Sequence, residues 1–566
     1  MPYRAPAADH RFILDHIVDY AQVAATTRFA DATPDTVAAI LTEAAKLCDD
    51  VLAPLNRGGD LTPARLENGV VRSSPGFADG YRAIAAGGWV GLAASPDHGG
   101  MGLPMALNTA VNEMMSGACL SLQLKPLLTQ GQIEALEHHA SDELKALYLP
   151  KLISGEWSGT MNLTEPQAGS DVGALRSKAE PNGDGTFAVT GQKIFITWGD
   201  CDITANHCHL VLARLPDGAP GTRGISLFLV PKFLPDASGN PGARNSLKVV
   251  SLEHKLGIHG SPTCVMQFDG ATGWLVGGPH KGMAAMFTMM NNARLGVGAQ
   301  GVGVAEAALQ KAVGFAVDRV QGPTAEGAPG IIGHADVRRM LAEARAEVFA
   351  ARAIAAACAV AIDMGNATKD PGWIARAALL TPIAKAYGTD TGCKVADTGV
   401  QVHGGMGFIE ETGAAQYLRD ARITTIYEGT NGIQAMDLVG RKLADGGEAA
   451  FRLIAEIETQ AKAARDALPD LAGEVWAATE ALNEATEALL ALDINDRFAG
   501  AVAYLRAFAL VLGAGMHLRA ALADPARLPL ARVMIRRLLP EHAALLARSR
   551  EAAADLYALT AEALAG

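Results

Sequence analysis

The hydrophobic period changes twice along this chain. Over residues 35–158 apolar side chains recur at helical spacing, near Thr160 they begin to alternate as in a strand, and from about Lys281 onward the helical period returns. A chain that switches in this way cannot be a single bundle or a single sandwich; it has to place a β domain between helical ones. The first helical stretch opens TPDTVAAILTEAAKLCDDVLAP, where Thr33 is placed to cap a helix that starts at Pro34. A glycine-rich loop, GGWVGLAASPDHGGMGLP, interrupts it, and NTAVNEMMSGACLSLQ and SDELKALYLPKLISGEW continue it as a helix pair. The runs TFAVTGQKIFITWG, HLVLARL, GISLFLVPKFL and TCVMQFDG are short, β-branched and bounded by turn residues, as strands are. Three later segments, beginning LGVGAQG, ADVRRML and PGWIARA, are long enough for bundle helices, and the glycines between 296 and 303 allow two of them to approach closely. Past Gly440 a further all-helical segment follows. The expected fold class is α+β: an N-terminal extension (1–34), a helical domain (35–158), a middle β domain (159–278), a helical bundle (279–443) and an added C-terminal helical domain (444–566).

Composition excludes some functions. With 566 residues, 49% hydrophobic and 19% charged, the chain is globular and too long for one core. A net charge of -12 argues against general binding to nucleic acid or anionic membranes, which takes clustered Lys and Arg. Seven scattered cysteines form no disulfide framework, so a reducing cytoplasm is expected. The opening MPYRAPAADHRFILDH carries charges throughout and does not read as a signal peptide, and the most apolar run, near Ala353 to Ile362, is too short to span a bilayer. The closing EALAG matches no common targeting signal.

The chemistry concentrates in RDARITTIYEGTNGIQ (419–434), where Glu428 stands between an aromatic residue and a glycine. Partial burial beside Ile426, Tyr427 and Gly429 would raise its pKa and suit it to act as a base. Read with MNLTEPQAGSD (161–171), KIFITWG (193–199), KLGIHGSPT (255–263), DRVQG (318–322) and QVHGGMGF (401–408), this stretch resembles the acyl-CoA dehydrogenase flavoenzymes, with six motifs in the family's order over residues 35–443. The opening YRAPAADHRFIL and the helical tail resemble the larger bacterial subgroup that includes 3-(methylthio)propanoyl-CoA dehydrogenase.

The resemblance implies a reaction and a site. Two hydrogens leave an unactivated Cα–Cβ bond of a CoA thioester, one as a proton to Glu428 and one as a hydride to a cofactor. No strand–GxGxxG–helix unit points to a nicotinamide, and the family implies FAD. Met161, Leu163, Thr164 and Ser170 fall in the family's flavin loop, Phe195 where an aromatic covers the flavin, and Thr197 where a hydroxyl meets its N5 side. Arg319, Gln401, Gly404 and Gly405 match positions that reach the ADP part of FAD from a neighbouring subunit, which implies at least a dimer. Thr430, Asn431 and Gly432 would close the site. Ser170, Arg294 and Gly429 would meet the substrate, with Gly429 leaving room for the thioester and the backbone N–H of Glu428 holding its carbonyl oxygen. Some members carry the base directly before the arginine that Arg294 matches; here that residue is Ala293. Electrons would pass to an electron-transfer flavoprotein, and no metal is expected.

Plainer readings compete. Glu428 could pair with Arg419 or Arg422, Arg294 could make a helix salt bridge, and Phe195 could be a core strand residue. Cys201, His207, Cys208 and His209 have no zinc spacing and read as a surface loop before a strand. Met114, Met115 and MAAMFTMM (283–290) read as adaptable core. The run PARLPLARVMIRRLLPEHAALLARSR reads as a solvated or subunit-facing helix. Leu122, Gln123 and Leu124, on the helix expected to border the acyl pocket, are less aromatic than in that subgroup, so the acyl group stays open among short, thioether, branched and aromatic chains. An acyl-CoA oxidase using O₂, and a flavin-bearing scaffold that binds DNA or a partner, are the alternative functions.

Overall fold

The computed structural model describes residues 2–325 and 327–566. It packs as two compact units, one of residues 43–103 and 114–293, the other of residues 1–42, 104–113 and 294–566.

The first unit holds the sheet. Its strands are β1 (Arg65–Glu67), β2 (Val70–Arg72), β3 (Trp157–Asn162), β4 (Lys178–Pro181), β5 (Phe187–Thr197), β6 (Asn206–Arg214), β7 (Ile225–Pro231), β8 (Phe233–Pro235), β9 (Pro241–Arg244), β10 (Leu247–Leu252) and β11 (Thr263–Val276). Seven of them form one sheet in the order β10-β11-β5-β4-β6-β3, with β7 pairing both β11 and β6. The pairing is antiparallel except between β6 and β3, which run parallel, and at one parallel pair between β6 and β4. Alternating residues of these strands, among them Val189, Val211, Phe228, Met266 and Phe268, build a buried core.

One expectation is corrected in this unit. The N-terminal stretch is not purely helical: β1 and β2 form a hairpin across Asn68 and Gly69, both at positive φ, the Asn-Gly turn that favours a tight hairpin. The helix pair expected through NTAVNEMMSGACLSLQ and SDELKALYLPKLISGEW is present as Met105–His139, which kinks at Cys119 and carries Pro126 within it, and Asp142–Ile153. The helix start expected at Thr33 is present, with the Thr36 N–H donating to Thr33 Oγ1 at 3.2 Å.

The second unit is helical. Its core helices are Ala335–Thr368, Pro371–His403 and Ile494–Ala523, together with the greater part of Gly282–Asp318. Close approach is real where the sequence places glycines: a Cβ at Gly298 would lie 2.7 Å from Ala384 O, and one at Gly301 would lie 2.4 Å from Gly388 O. A buried ion cluster ties the N-terminal segment to this bundle. Arg352, fully buried, meets Glu113 at 2.7 Å, Glu306 at 2.8 Å and Asp9 at 3.3 Å. The helices Ala335–Thr368 and Ile494–Ala523 are long and apolar enough to cross a membrane by length and composition, and both lie mostly inside the protein as core helices do. The arginine-rich run near the C-terminus is amphipathic: Met534, Ile535 and Leu538 are buried while Arg532, Arg536 and Arg537 are exposed.

Candidate active site

In the sheet unit, the loop after β3 is held from beneath by a buried ion pair. Lys193 Nζ lies 2.8 Å from Glu165 Oε1 and donates to Leu163 O at 3.0 Å. The Glu165 carboxylate also accepts from Arg176 N at 2.7 Å, Ser177 N at 3.0 Å and Ser177 Oγ at 2.6 Å. Burial alone would raise its pKa, but the Lys193 charge and these donors outweigh it and hold the group down at about 2. Neither residue stood out in the sequence. A glutamate inside a turn and a lysine at a buried strand position, two residues before the aromatic Phe195, were the available signals.

This clamp fixes what lies above it. The Ile194 N–H donates to Thr164 O at 2.9 Å, joining the loop to β5. Met161, Leu163, Thr164 and Thr197 are partly accessible and Ser170 is exposed. Among the described residues the hydroxyls of Thr164, Ser170 and Thr197 have no hydrogen-bond partner. Phe195 is no core residue. Its ring is 59% exposed and its φ is +62°, a conformation that costs a non-glycine residue roughly 1–2 kcal/mol. Ile196 beside it is 2% exposed. A strained, outward aromatic flanked by unpaired hydroxyls fits a planar ring system with polar edges, the chemistry of an isoalloxazine.

The Cys201–His209 stretch is not a surface loop. His207, Cys208 and His209 lie inside β6 with no exposure. Cys201 Sγ sits 3.2 Å from His207 Nε2 and accepts from Lys125 Nζ at 3.4 Å, so an ammonium occupies the place where a cation site would need to be empty. Leu122, Gln123 and Leu124 are all buried, as are Met114, Met115, Met286 and Met289.

In the helical unit, Glu428 has a setting unlike that of Glu165. Its φ is +55°. Its carboxyl has no hydrogen bond or ion pair among the described residues, and its backbone N–H has no acceptor there. Burial pushes the carboxyl up to about 7, against the pull of Arg294 and Lys385. Arg419 pairs instead with Glu410 at 3.1 Å, and Arg422 bonds Thr425, so neither partners Glu428.

The turn carrying Glu428 is pinned on both sides. Tyr427 Oη donates to Gln300 Oε1, and Gln434 Nε2 donates to Glu428 O at 3.2 Å and Gly429 O at 3.3 Å. Gly429 has φ +86°, and a Cβ there would lie 2.7 Å from Gln434 Nε2. The glycine is therefore required by the turn, and the space it spares is taken by Gln434 rather than left for a ligand. Thr430 caps the helix Asn431–Asp437 through Ile433 N at 3.3 Å, and Gly432 lies in its first turn. Arg294 is buried and does make the salt bridge, to Asp437 at 3.5 Å, while still acting on Glu428. Lys385, which the sequence reading passed over, is fully buried and donates to Asn431 Oδ1 at 2.9 Å. Its signal was a lone lysine in an apolar helical run, TPIAKAYG.

Arg319 and residues 401–405 come together, because Phe315, four residues before Arg319, stacks on His403 at 4.4 Å. Arg319 and Gln401 are exposed, and the Arg319 guanidinium has no partner among the described residues. Nothing crowds Gly404 or Gly405 within 4 Å of where a Cβ would be. Open backbone beside a free guanidinium suits a phosphate ester.

These features define a flavoenzyme for proton and hydride removal, and comparison with known proteins places it. Family models for the acyl-CoA dehydrogenase N-terminal, middle and C-terminal domains match residues 35–156, 160–271 and 280–443, and a model described as acetyl-CoA dehydrogenase C-terminal like matches residues 453–560. The chain is 46% identical over 519 residues to 3-methylmercaptopropionyl-CoA dehydrogenase of Ruegeria pomeroyi, covering 89% of this chain and 88% of that one. The fold matches Caenorhabditis elegans ACDH-11, solved with C11-CoA, at a TM-score of 0.77 and 21% identity over 95% of this chain and 92% of that one. It also matches a chain from a structure titled for the electron transferring flavoprotein of Acidaminococcus fermentans, at a TM-score of 0.61 and 26% identity, covering 73% of this chain and 99% of that one. The chain belongs to the acyl-CoA dehydrogenase family: it is a flavin-dependent oxidoreductase acting on acyl-CoA, and its cofactor is FAD.

Proposed function

We propose that the protein converts 3-(methylthio)propanoyl-CoA, or a similarly short acyl-CoA, to the trans-2-enoyl-CoA and passes the electrons to an electron-transfer flavoprotein. The observation that carries the reaction is Glu428, a carboxyl with no hydrogen bond or ion pair among the described residues, held up at about 7 where it can exchange a proton near neutral pH. Glu428 removes the α-proton, and its own backbone N–H, which has no acceptor among the described residues, is free to hold the thioester oxygen as charge develops on it. Arg294 lines this end of the site and helps keep the carboxylate ionised before it acts. FAD, when bound, supplies the hydride acceptor. Met161, Leu163, Thr164, Ser170, Phe195 and Thr197 would hold its ring end, and Arg319, Gln401, Gly404, Gly405, Thr430 and Gly432 its other parts. Ser170 would border the substrate.

The acyl group follows the named relative at 46% identity, and the acceptor follows the family and the flavoprotein-titled neighbour. The division into segments at 34, 158, 278 and 443, a homo-oligomer and a cytoplasmic location complete the proposal.

The experiment is anaerobic bleaching of the oxidised flavin band by a panel of acyl-CoAs. Fast bleaching by 3-(methylthio)propanoyl-CoA, absent in Glu428→Gln, is expected. A Glu428→Gln protein that still bleaches would remove the assignment of the base, and bleaching only by long or aromatic acyl-CoAs would remove that of the substrate.

A further inference from the structure

Lys385 is the group near Glu428 that the proposed reaction leaves without a task. It sits in the helix Pro371–His403, and its side chain is fully buried. A buried ammonium is costly unless a charge or a set of hydrogen bonds compensates it. Its one hydrogen bond among the described residues goes to a neutral acceptor, Asn431 Oδ1, at 2.9 Å. The acids that act on it are Glu428 first and Asp390 second. Asp390 is already engaged, accepting from Asn431 Nδ2 at 2.8 Å. Asn431 is the centre of this arrangement: its amide also donates to Thr389 Oγ1 at 3.0 Å and Ala386 O at 3.3 Å. It stands three residues after Glu428, at the first position of the helix Asn431–Asp437.

The two cations that act on Glu428 differ in what else they serve. Arg294, the stronger influence, faces Asp437, an acid that also binds Arg441 at 2.6 Å. Lys385 has no carboxylate within ion-pair distance among the described residues, although Glu428, Asp390, Arg294 and Cys393 all bear on it. Tyr427 is the remaining titratable group beside Glu428, and its hydroxyl is committed to Gln300.

We propose that Lys385 is a positioning residue for the reaction: through Asn431 it fixes the turn that carries Glu428, and its ammonium is the buried counter-charge that keeps the Glu428 carboxylate ionised. This rests on the reading of Glu428 as the base. The arrangement uses one side chain for geometry and charge together, and only the charge role moves with pH. Burial pushes Lys385 down to about 8, still above the value of about 7 for Glu428, so the ammonium is present as Glu428 begins to ionise.

The test uses the FAD-loaded full chain and two readouts. The first is the carboxyl infrared band that Glu428→Gln removes, titrated with pH. The second is the rate of anaerobic flavin reduction by acyl-CoA across the same range. With Lys385→Met the midpoint of both should rise by about one pH unit, so that reduction at pH 6.5 falls roughly tenfold while the high-pH rate recovers. Lys385→Arg should return the midpoint to that of the wild type. Asn431→Ala, which leaves the ammonium in place, should slow reduction at every pH without moving the midpoint. Should Lys385→Met fail to fold, Lys385→Gln, which can still bond Asn431, is read in the same way. A midpoint unmoved in the uncharged variant, with reduction slowed equally at all pH, would overturn the counter-charge role. If Glu428→Gln itself still reduces its flavin, the assignment of the base fails; if it does not and the Lys385 midpoint is unmoved, only the present inference fails.

Discussion

Glu165 and Glu428 are the same residue type in two motifs of one chain, and their surroundings drive them in opposite directions. Glu165, in the loop after β3, has an ammonium at 2.8 Å and four further donors, and it is held at about 2. Glu428, in the turn before Asn431–Asp437, has no direct partner among the described residues and is pushed up to about 7. Glu165 is buried and Glu428 is partly accessible, so exposure alone does not account for the higher value at Glu428. What separates them is whether the protein spends hydrogen bonds on the carboxylate. A satisfied carboxylate is a structural strut, and an unsatisfied one is reactive.

The comparison breaks most readily at Glu428. Glu428→Gln should slow reduction of the bound flavin by at least about 10³-fold, read by stopped-flow bleaching, because a neutral amide cannot take the α-proton. Glu165→Gln should leave the chemistry's base in place but destabilise the fold by about 3–5 kcal/mol in denaturant titration, since it strands Lys193, which has no exposure.

The pH dependences sharpen the contrast. The folded pKa of Glu165 lies below its ordinary 4.5, so its contribution to stability is present above about 4.5 and is lost as pH falls towards about 2. For Glu428 the sign reverses. Its folded pKa lies above 4.5, so ionising it costs stability, a cost absent below about 4.5 and complete above about 7. Glu428→Gln should therefore stabilise the protein at pH 8 by about 2 kcal/mol and have no such effect at pH 4, measured by denaturant midpoints at the two pH values. The smallest effect is expected at the strained aromatic. Phe195→Gly should raise the stability of the flavin-free protein by about 1 kcal/mol while weakening FAD retention, measured by thermal melts with and without added FAD.

Much of this was legible in the chain. The double change of hydrophobic period located the sheet between helical segments, because side-chain periodicity is a local property of each element. The long helix with Pro126 and the β1–β2 hairpin were less visible. The first depends on packing that tolerates a proline, and the second on a short Asn-Gly turn inside an otherwise helical context. The buried histidines of β6 were misjudged as loop because a polar run reads as surface unless its partners are known; Thr160 Oγ1, which bonds His209, comes from the neighbouring strand β3.

The sequence by itself determined the family and the placing of a sheet between helical segments, and it singled out Glu428 as the candidate base, since each rests on residue types at fixed spacing. Only the tertiary structure decided what each glutamate is. Ionisation depends on the groups brought within a few ångströms of a carboxyl and on the water removed from it. Lys193, 28 residues after Glu165, and Lys385, 43 residues before Glu428, reach their places only when the chain is folded.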